Sequence, residues 1–299
     1  MYIIEHDENT DTNQVILENY SGSSQAILLL NEGARVQRLK LDNISLIEDL
    51  SPLKYADTYA SSVLFPFANR IKDGSYSFNG KQYQLDINHE SENNAIHGFI
   101  YNKEFEIVNR NTSEYEASVT LEYEENQWTK GFPYTYKVQL IYTLRESGLD
   151  LKVVVKNTDS TAFPFTIGWH PYFTSKDLYN STVQIECDKK VILGDRLITT
   201  GTEVYPRNEN IQIKNNLLDD CFILNSNKIE FFTPEYDMQI ISSSPNTYLQ
   251  LYTPPKTNRI AIEPTTGISD SFNNKIGLEV LGPDKSYTIN WNILLKSKH

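Results

Sequence analysis

The sequence contains little cysteine and none of the common motifs for metals or nucleotides. Only Cys187 and Cys221 are cysteines among 299 residues, too few for a disulfide framework, and we predict that both are reduced. No His-x-x-x-His, His-Glu-x-x-His or Cys-x-x-Cys spacing occurs, which argues against the usual zinc sites. Glycine-rich phosphate loops and Gly-x-Ser-x-Gly elbows are also missing. We therefore expect neither a metal nor a cofactor.

Basic residues and long apolar runs are also scarce. Lys and Arg number 27 against 39 Asp and Glu, a formal net charge of -12. Such a surface repels phosphate backbones and anionic lipids, so we expect no nucleic-acid or membrane partner. No apolar run approaches the ~20 residues that span a bilayer, and residues 1–8 lack the basic and apolar parts of a signal peptide. These features predict a cytoplasmic protein.

Aromatic residues and period-two alternation are abundant instead. The chain has 19 Tyr and 13 Phe, which suit half-buried strand faces and also stack on sugar rings. No stretch keeps a helical apolar period, so we predict few helices and a large antiparallel β-sandwich in which residues 1–299 form a single domain. The predicted strands are Arg35–Leu41, Ala117–Tyr123, Tyr136–Leu144, Leu149–Val155, Val183–Cys187, Lys228–Phe232, Tyr248–Tyr252, Ile260–Ile262 and Tyr287–Leu295.

The segment Tyr76–Leu85 carries the sharpest local signal, a β-hairpin. Asn79-Gly80 suits a two-residue type I′ turn, in which both central residues take positive φ. That turn places Tyr76 opposite Tyr83, so two large rings cover one side of the hairpin.

Two of the five histidines have suggestive neighbours. His97 precedes Gly98, which permits a tight turn at a cleft; the alternative is a hydrogen-bonded loop residue. His170 stands among rings in Phe165–Phe173, before a proline that favours extended backbone. It is either packed in the core or a titratable group tuned by its surroundings. The other three, His6, His89 and His299, have no such neighbours.

Several charged residues are candidates for chemistry. Glu263 ends an apolar strand, where a buried carboxylate needs a reason: an ion pair with Arg259, or work as a general base. The doublet Asp219-Asp220 is typical of a solvated turn. Arg70, after an aromatic stretch, would ordinarily form a salt bridge.

Taken together and in order, these segments resemble the aldose 1-epimerase family. The matching segments are Asn69–Ile71, Gly74–Leu85, Asn94–Gly98, Trp169–Phe173, Leu218–Phe222 and Ile262–Glu263. The resemblance implies a large antiparallel β-sandwich with a cleft on one face. It also implies an enzyme of hexose metabolism that interconverts the α- and β-anomers of a free aldose such as glucose or galactose, as a monomer or homodimer.

The same resemblance implies roles for individual residues. Glu263 matches the general base and His170 the general acid, whereas Arg70, His97, Asp219 and the adjacent Asn69 match groups that bind the sugar. The chain departs from the family where Phe99 follows Gly98. Asp220 stands where His is frequent, so Asp219 or Asp220 is the sugar-binding acid. For these roles to coexist, the pKa of Glu263 must lie below that of His170.

Two alternatives remain open. A hexose-6-phosphate 1-epimerase needs a basic cluster for a dianion, and no Arg/Lys pair lies beside the matching segments. A non-catalytic carbohydrate-binding β-sandwich would keep the rings but has no need of Glu263 and His170.

Overall fold

The computed structural model describes residues 1–8, 13–206, 210–244, 247–255 and 257–296, so His299 lies outside the described residues. Its first sheet has five antiparallel strands in chain order. These strands are β1 (Tyr2–Asp7), β2 (Gln14–Asn19), β3 (Gln25–Leu29), β4 (Arg35–Leu41) and β5 (Ile44–Ile47). Val15, Leu17 and Leu28 point inward and are fully buried, as alternation along a half-buried strand requires.

Short elements follow and frame one end of the molecule. They are the helix α1 (Tyr55–Thr58) and the strands β6 (Val63–Leu64), β7 (Arg70–Lys72), β8 (Ser75–Phe78), β9 (Lys81–Gln84) and β10 (Asn94–Ile96). The strands β8 and β9 form the predicted hairpin, with Tyr76 paired to Tyr83 and their rings stacked at 5.0 Å. Asn79 and Gly80 have φ of 49° and 74°, which confirms the predicted turn.

A large antiparallel sheet forms the second layer. Besides β6, its strands are β11 (Glu106–Thr112), β12 (Ala117–Glu125), β13 (Tyr136–Arg145), β14 (Gly148–Asn157), β16 (Gly168–Trp169), β17 (Tyr172–Thr174), β18 (Thr182–Leu193), β19 (Thr199–Val204), β20 (Asn210–Gln212), β21 (Asp219–Phe232), β22 (Asp237–Ser242), β23 (Tyr248–Tyr252), β24 (Arg259–Thr265) and β26 (Ser286–Lys296). The strands β15 (Phe163–Phe165) and β25 (Glu279–Leu281) lie outside this sheet. The main path runs β11-β12-β13-β14-β26-β22-β21-β23-β24-β16-β6, while β15 pairs with β25 apart from it.

Helices are few, as predicted. Beside α1 the described residues include one further α-helix, α2 (Ser271–Asn274), and 3-10 turns at Glu90–Glu92, Ile100–Asn102, Leu178–Asn180 and Asp195–Leu197. Within the described part of the chain, no helix has the length and apolar character needed to cross a membrane.

The core lies between the two layers and follows the predicted alternation. Leu149, Leu151, Val153 and Val155 are all fully buried on one face of β14. Cys187 and Cys221 are buried and form no disulfide bond, as expected. The all-β sandwich is therefore confirmed, whereas the single domain over residues 1–299 stays a prediction.

Two glycines with the same backbone conformation face different surroundings. Gly80 and Gly98 have φ of 74° and 73°. A Cβ on Gly80 would meet no atom within 4 Å, whereas one on Gly98 would collide with the backbone of Phe65. We expect Gly80→Ala to cost about 1–2 kcal/mol from backbone strain alone. Gly98→Ala should cost about 2–5 kcal/mol, since overpacking adds to that strain.

Urea unfolding of both variants beside the wild type measures this difference. Equal losses would show that the close approach of Phe65 to Gly98 contributes nothing.

Candidate active site

All six predicted site residues line one cavity of about 270 Å³. The full lining is Asp57, Thr58, Tyr59, Asn69, Arg70, His89, Glu92, Ile96, His97, His170, Tyr172, Leu197, Asp219, Gln250, Tyr252 and Glu263. A larger groove of about 860 Å³ lies elsewhere and contains none of the six. The sequence segments that the chain separates widely therefore converge at one place.

Three neighbouring strands, β21, β23 and β24, form the floor of the cavity. Gln250 pairs with Glu263, and Tyr252 pairs with Asp219. Because side chains alternate along a strand, residues two apart share a face. Asp219, Gln250, Tyr252 and Glu263 therefore all project from the same face of the sheet.

Glu263 on this floor contacts His170, which also lines the cavity. Oε1 of Glu263 lies 3.3 Å from Nε2 of His170, and the two residues are only 3% and 5% exposed. Arg259 instead donates to the carbonyl of Asp49 and lies near Glu48. The proposed ion pair between Arg259 and Glu263 was therefore wrong, and His170 is the partner of the carboxylate.

The backbone on both sides holds His170 in place. Its N–H donates to Ser62 at 3.0 Å, and its carbonyl accepts from the N–H of Ser61 at 2.8 Å. The imidazole stacks on the ring of Tyr172 with centroids 5.0 Å apart. The neighbouring Ser61 and Ser62 therefore hold the backbone of His170, and its ring lies beside Glu263.

His97 occupies the turn that the sequence predicted. Its φ is 63°, and its N–H donates to the carbonyl of Asn69 at 3.1 Å. The ring lies edge-on to His170 at 5.2 Å and against Tyr59 at 4.8 Å. Among the described residues, Nδ1 of His97 and Nδ1 of His170 have no hydrogen-bond partner. Both imidazoles therefore keep a polar atom that the protein leaves unsatisfied.

Arg70 forms a salt bridge and also lines the cavity. Its Nε and Nη2 donate to the two carboxylate oxygens of Glu92 at 2.5 and 3.0 Å. Its Nη1 donates to Oδ1 of Asn69 at 3.2 Å. The two interpretations of this residue are compatible, because the guanidinium reaches Glu92 while lining the cavity.

The Asp219-Asp220 doublet starts the strand β21 instead of forming a solvated turn. Asp219 lines the cavity and accepts from Nε2 of Gln250 at 2.7 Å. Asp220 pairs with Lys190 at 2.6 Å and, being the next residue along a strand, points to the other face. Asp219 is therefore the member of the doublet that is placed to meet a ligand.

A chain of hydrogen bonds through two side-chain amides joins Arg70 to Asp219 across the floor of the cavity. Arg70 donates to Asn69, Nδ2 of Asn69 donates to Oε1 of Gln250 at 3.3 Å, and Gln250 donates to Asp219. The side chains that surround the cavity are therefore linked before any ligand enters.

Burial sets the protonation of the central pair. Desolvation raises the pKa of Glu263 well above its ordinary value; Asp219 adds to this rise and Arg70 opposes it. Desolvation lowers the pKa of His170 to about 3 and that of His97 well below its ordinary value. The expectation that the pKa of Glu263 lies below that of His170 is therefore wrong for the ligand-free site. Burial therefore favours the neutral form of both side chains.

Several lining residues were not expected from the sequence. His89 was set aside, yet it lines the cavity, and its Nε2 lies 3.4 Å from Oε1 of Glu92. Gln250, Tyr252 and Tyr59 were not singled out either. The alternation of Tyr248–Tyr252 beside the strand of Glu263 was the one signal that pointed to Gln250 and Tyr252. No group of three or more His, Cys, Asp or Glu arranged to hold a metal ion occurs in the described ranges.

The family model of aldose 1-epimerase matches residues 14–293, and the chain belongs to the aldose 1-epimerase family. It is 25% identical over 279 residues to the uncharacterized protein YihR of Escherichia coli K12, covering 89% of this chain and 88% of that protein. It is 31% identical over 153 residues to galactose mutarotase of Pongo abelii, covering 50% of this chain and 43% of that protein.

The fold has a close counterpart among solved structures. A galactose mutarotase-like protein from Clostridium acetobutylicum superposes with a TM-score of 0.88 and 22% identity, covering 99% of each chain. The family and fold are those of mutarotase-like carbohydrate epimerases, which confirms the resemblance found in the sequence.

The buried carboxylate of Glu263 predicts a stability cost. Its pKa is higher in the folded than in the unfolded state, so folding loses stability as pH rises above about 4.5, where the unfolded carboxyl ionises. Glu263→Gln should therefore stabilise the protein by about 1–3 kcal/mol at about pH 8. The gain should vanish at about pH 4, where the carboxyl is protonated in both states.

Urea unfolding at both pH values provides the measurement. Glu203→Gln on the exposed face of β19 is the matched control and should show neither effect. A Glu263→Gln protein that is less stable than the wild type at the higher pH would contradict the assigned cost.

Proposed function

We propose that the protein interconverts the α- and β-anomers of free aldoses by acid/base-catalysed opening and closure of the sugar ring. The observation that carries the proposal is the buried contact of 3.3 Å between Glu263 and His170 on the floor of the cavity. A carboxylate and an imidazole this close can reach two oxygens bound to the same carbon atom. Mutarotation requires this arrangement, because the hydroxyl oxygen and the ring oxygen are both attached to C1.

In the proposed reaction the two groups move protons in opposite directions. Glu263 takes the proton of the C1 hydroxyl while His170 delivers a proton to the ring oxygen, and the C1–O5 bond breaks to give the open-chain aldehyde. After rotation about C1–C2, His170 takes back the proton from O5 and Glu263 returns one to the carbonyl oxygen. The ring closes on the opposite face, and each group ends as it began.

The shared proton fits this cycle. With the cyclic sugar bound, the proton lies on His170; with the open chain bound, it lies on Glu263 and the imidazole is neutral. Burial favours the second form in the empty site. Interactions with the cyclic sugar must therefore supply the free energy that moves the proton from Glu263 to His170.

The remaining predicted residues hold the substrate in this proposal. Asp219 accepts hydrogen bonds from sugar hydroxyls, whereas Arg70 and Asn69 donate to hydroxyl or ring oxygens from the opposite side of the floor. His97 also lines the cavity and serves the same purpose. Tyr59 and Tyr252 provide ring surfaces on which the apolar face of a sugar packs.

Charge in the cavity supports free aldoses over sugar phosphates. The described lining residues include four carboxylates, Asp57, Glu92, Asp219 and Glu263, but only one Arg or Lys, Arg70. Since Arg70 is already paired with Glu92, a phosphate dianion would meet uncompensated negative charge. A hexose-6-phosphate 1-epimerase is therefore the weaker candidate.

A non-catalytic carbohydrate-binding role is also weaker. Burying Glu263 next to His170 costs stability, and a binding module has no use for a proton-transfer pair. We retain as proposals the other expectations from the sequence: no cofactor, a cytoplasmic location, no nucleic-acid or membrane partner, and a monomer or homodimer.

Polarimetry of freshly dissolved α-glucose and α-galactose tests the proposed activity. The protein should accelerate the approach to anomeric equilibrium above the buffer blank, and glucose 6-phosphate should show a much lower kcat/KM. Folded protein with blank rates on several hexoses and pentoses would overturn the proposal. A far higher kcat/KM for glucose 6-phosphate would establish the phosphate-specific alternative instead.

Substitutions separate proton transfer from substrate binding. Glu263→Gln and His170→Asn should each lower kcat by ~10²-fold or more with KM little changed, because each removes one proton-transfer group. Arg70→Ala should also raise KM, since it removes contacts to the bound sugar. Steady-state kinetics give both constants, and circular dichroism checks the fold. Near wild-type kcat in folded Glu263→Gln would exclude this carboxylate as the base and direct attention to Asp219.

A further inference from the structure

Glu92 forms an ion pair with Arg70, which is the only Arg or Lys among the described residues that line the cavity. Its two oxygens accept from Nε and Nη2 of Arg70 at 2.5 and 3.0 Å, a bidentate pairing that fixes the plane of the guanidinium. The side chains of Arg70 and Glu92 are 12% and 19% exposed. The pair is therefore largely buried. Water and salt screen its interaction only weakly there, and the two charges offset one another.

Neighbouring residues of the same segment also contact the carboxylate of Glu92. Glu92 ends the 3-10 turn Glu90–Glu92, and Nδ2 of Asn94 donates to its Oε2 at 3.3 Å. His89 lies 3.4 Å from its other oxygen. Burial opposes ionisation of Glu92, but hydrogen bonds and charge from Arg70 outweigh it, so the pKa of Glu92 lies below its ordinary value.

The ion pair with Glu92 determines which hydrogen-bond donors of Arg70 remain available to a ligand. Of the five N–H groups of a guanidinium, two donate to Glu92 and one to Asn69. The two that remain are held at fixed positions, and the positive charge beside them is already balanced. A group of this kind donates well to neutral oxygens and has little net attraction for an anion.

We propose that Glu92 is a positioning and specificity-determining residue, which aims Arg70 at the oxygens of a neutral sugar and makes the cavity reject anionic sugars. The inference rests on the proposed mutarotation and assigns its substrate class: neutral aldoses in preference to phosphorylated sugars and uronic acids. A purely structural alternative is that Glu92 only anchors residues 88–94 to β7.

Three variants separate position, charge and anchoring. Glu92→Gln keeps the shape but removes the charge, Glu92→Asp keeps the charge but shortens the reach, and Glu90→Gln removes the same charge from an exposed position in the same turn. Galactose and galacturonic acid are matched probes, because they differ only in the group at C6. Polarimetry gives kcat and KM for both sugars.

Glu92→Gln should raise KM for galactose several-fold with kcat changed less. It should also raise kcat/KM for galacturonic acid, so that the ratio of the two kcat/KM values shifts by about tenfold or more toward the acid. Glu92→Asp should raise KM for galactose without that shift in ratio. Glu90→Gln should match the wild type on both sugars.

An unchanged ratio in folded Glu92→Gln, or the same shift in Glu90→Gln, overturns the inference while leaving the proposed activity intact. Should Glu92→Gln fail to fold by circular dichroism, Glu92→Asp decides, since a wild-type KM for galactose there would exclude positioning. A wild type with no activity on galactose or any other free aldose is a different result, because it removes the reaction itself.

Discussion

The site depends on one contact, a carboxylate held against an imidazole where water is largely excluded. Placing Glu263 inside the buried strand β24 is unfavourable for the fold, because a carboxylate there loses its hydration. The same exclusion of water raises the pKa of Glu263 and lowers that of His170, and it makes the charges of Asp219 and Arg70 effective at short range. The chemistry and the instability of the site therefore have a common cause.

The register of β21, β23 and β24 places Glu263 on the face of the sheet that lines the cavity. Asp219, Gln250 and Glu263 lie on three adjacent strands, and a slip of one residue in any pairing would turn its side chain to the opposite face. The cavity walls come from shorter segments outside these three strands, including α1 and β7, and β7 pairs with β10 instead of with the large sheet.

The sequence predicts those features that are encoded locally. Alternation of apolar residues identified the strand Tyr136–Leu144, and the pair Asn79-Gly80 identified the hairpin of β8 and β9. Both signals depend on near neighbours in the chain. Glu92 and His89 were not identified, because they belong to a polar segment that is typical of a solvent-exposed loop. They reach the cavity only when β10 pairs with β7. Burial is also a property of the assembled fold, so the pKa order of the central pair and the true partner of Glu263 could not be derived from spacing.

The directed amide chain from Arg70 to Asp219 has a consequence for how binding energy is distributed. Every donor in it points the same way, from the cation through Asn69 and Gln250 to the anion. Aligned dipoles polarise one another, so each hydrogen bond is stronger for the presence of the others. The hydrogen bonds of the four side chains are therefore coupled and their contributions do not add: breaking the chain at Gln250 removes the hydrogen-bonded link between Arg70 and Asp219 and leaves only the interaction of their charges.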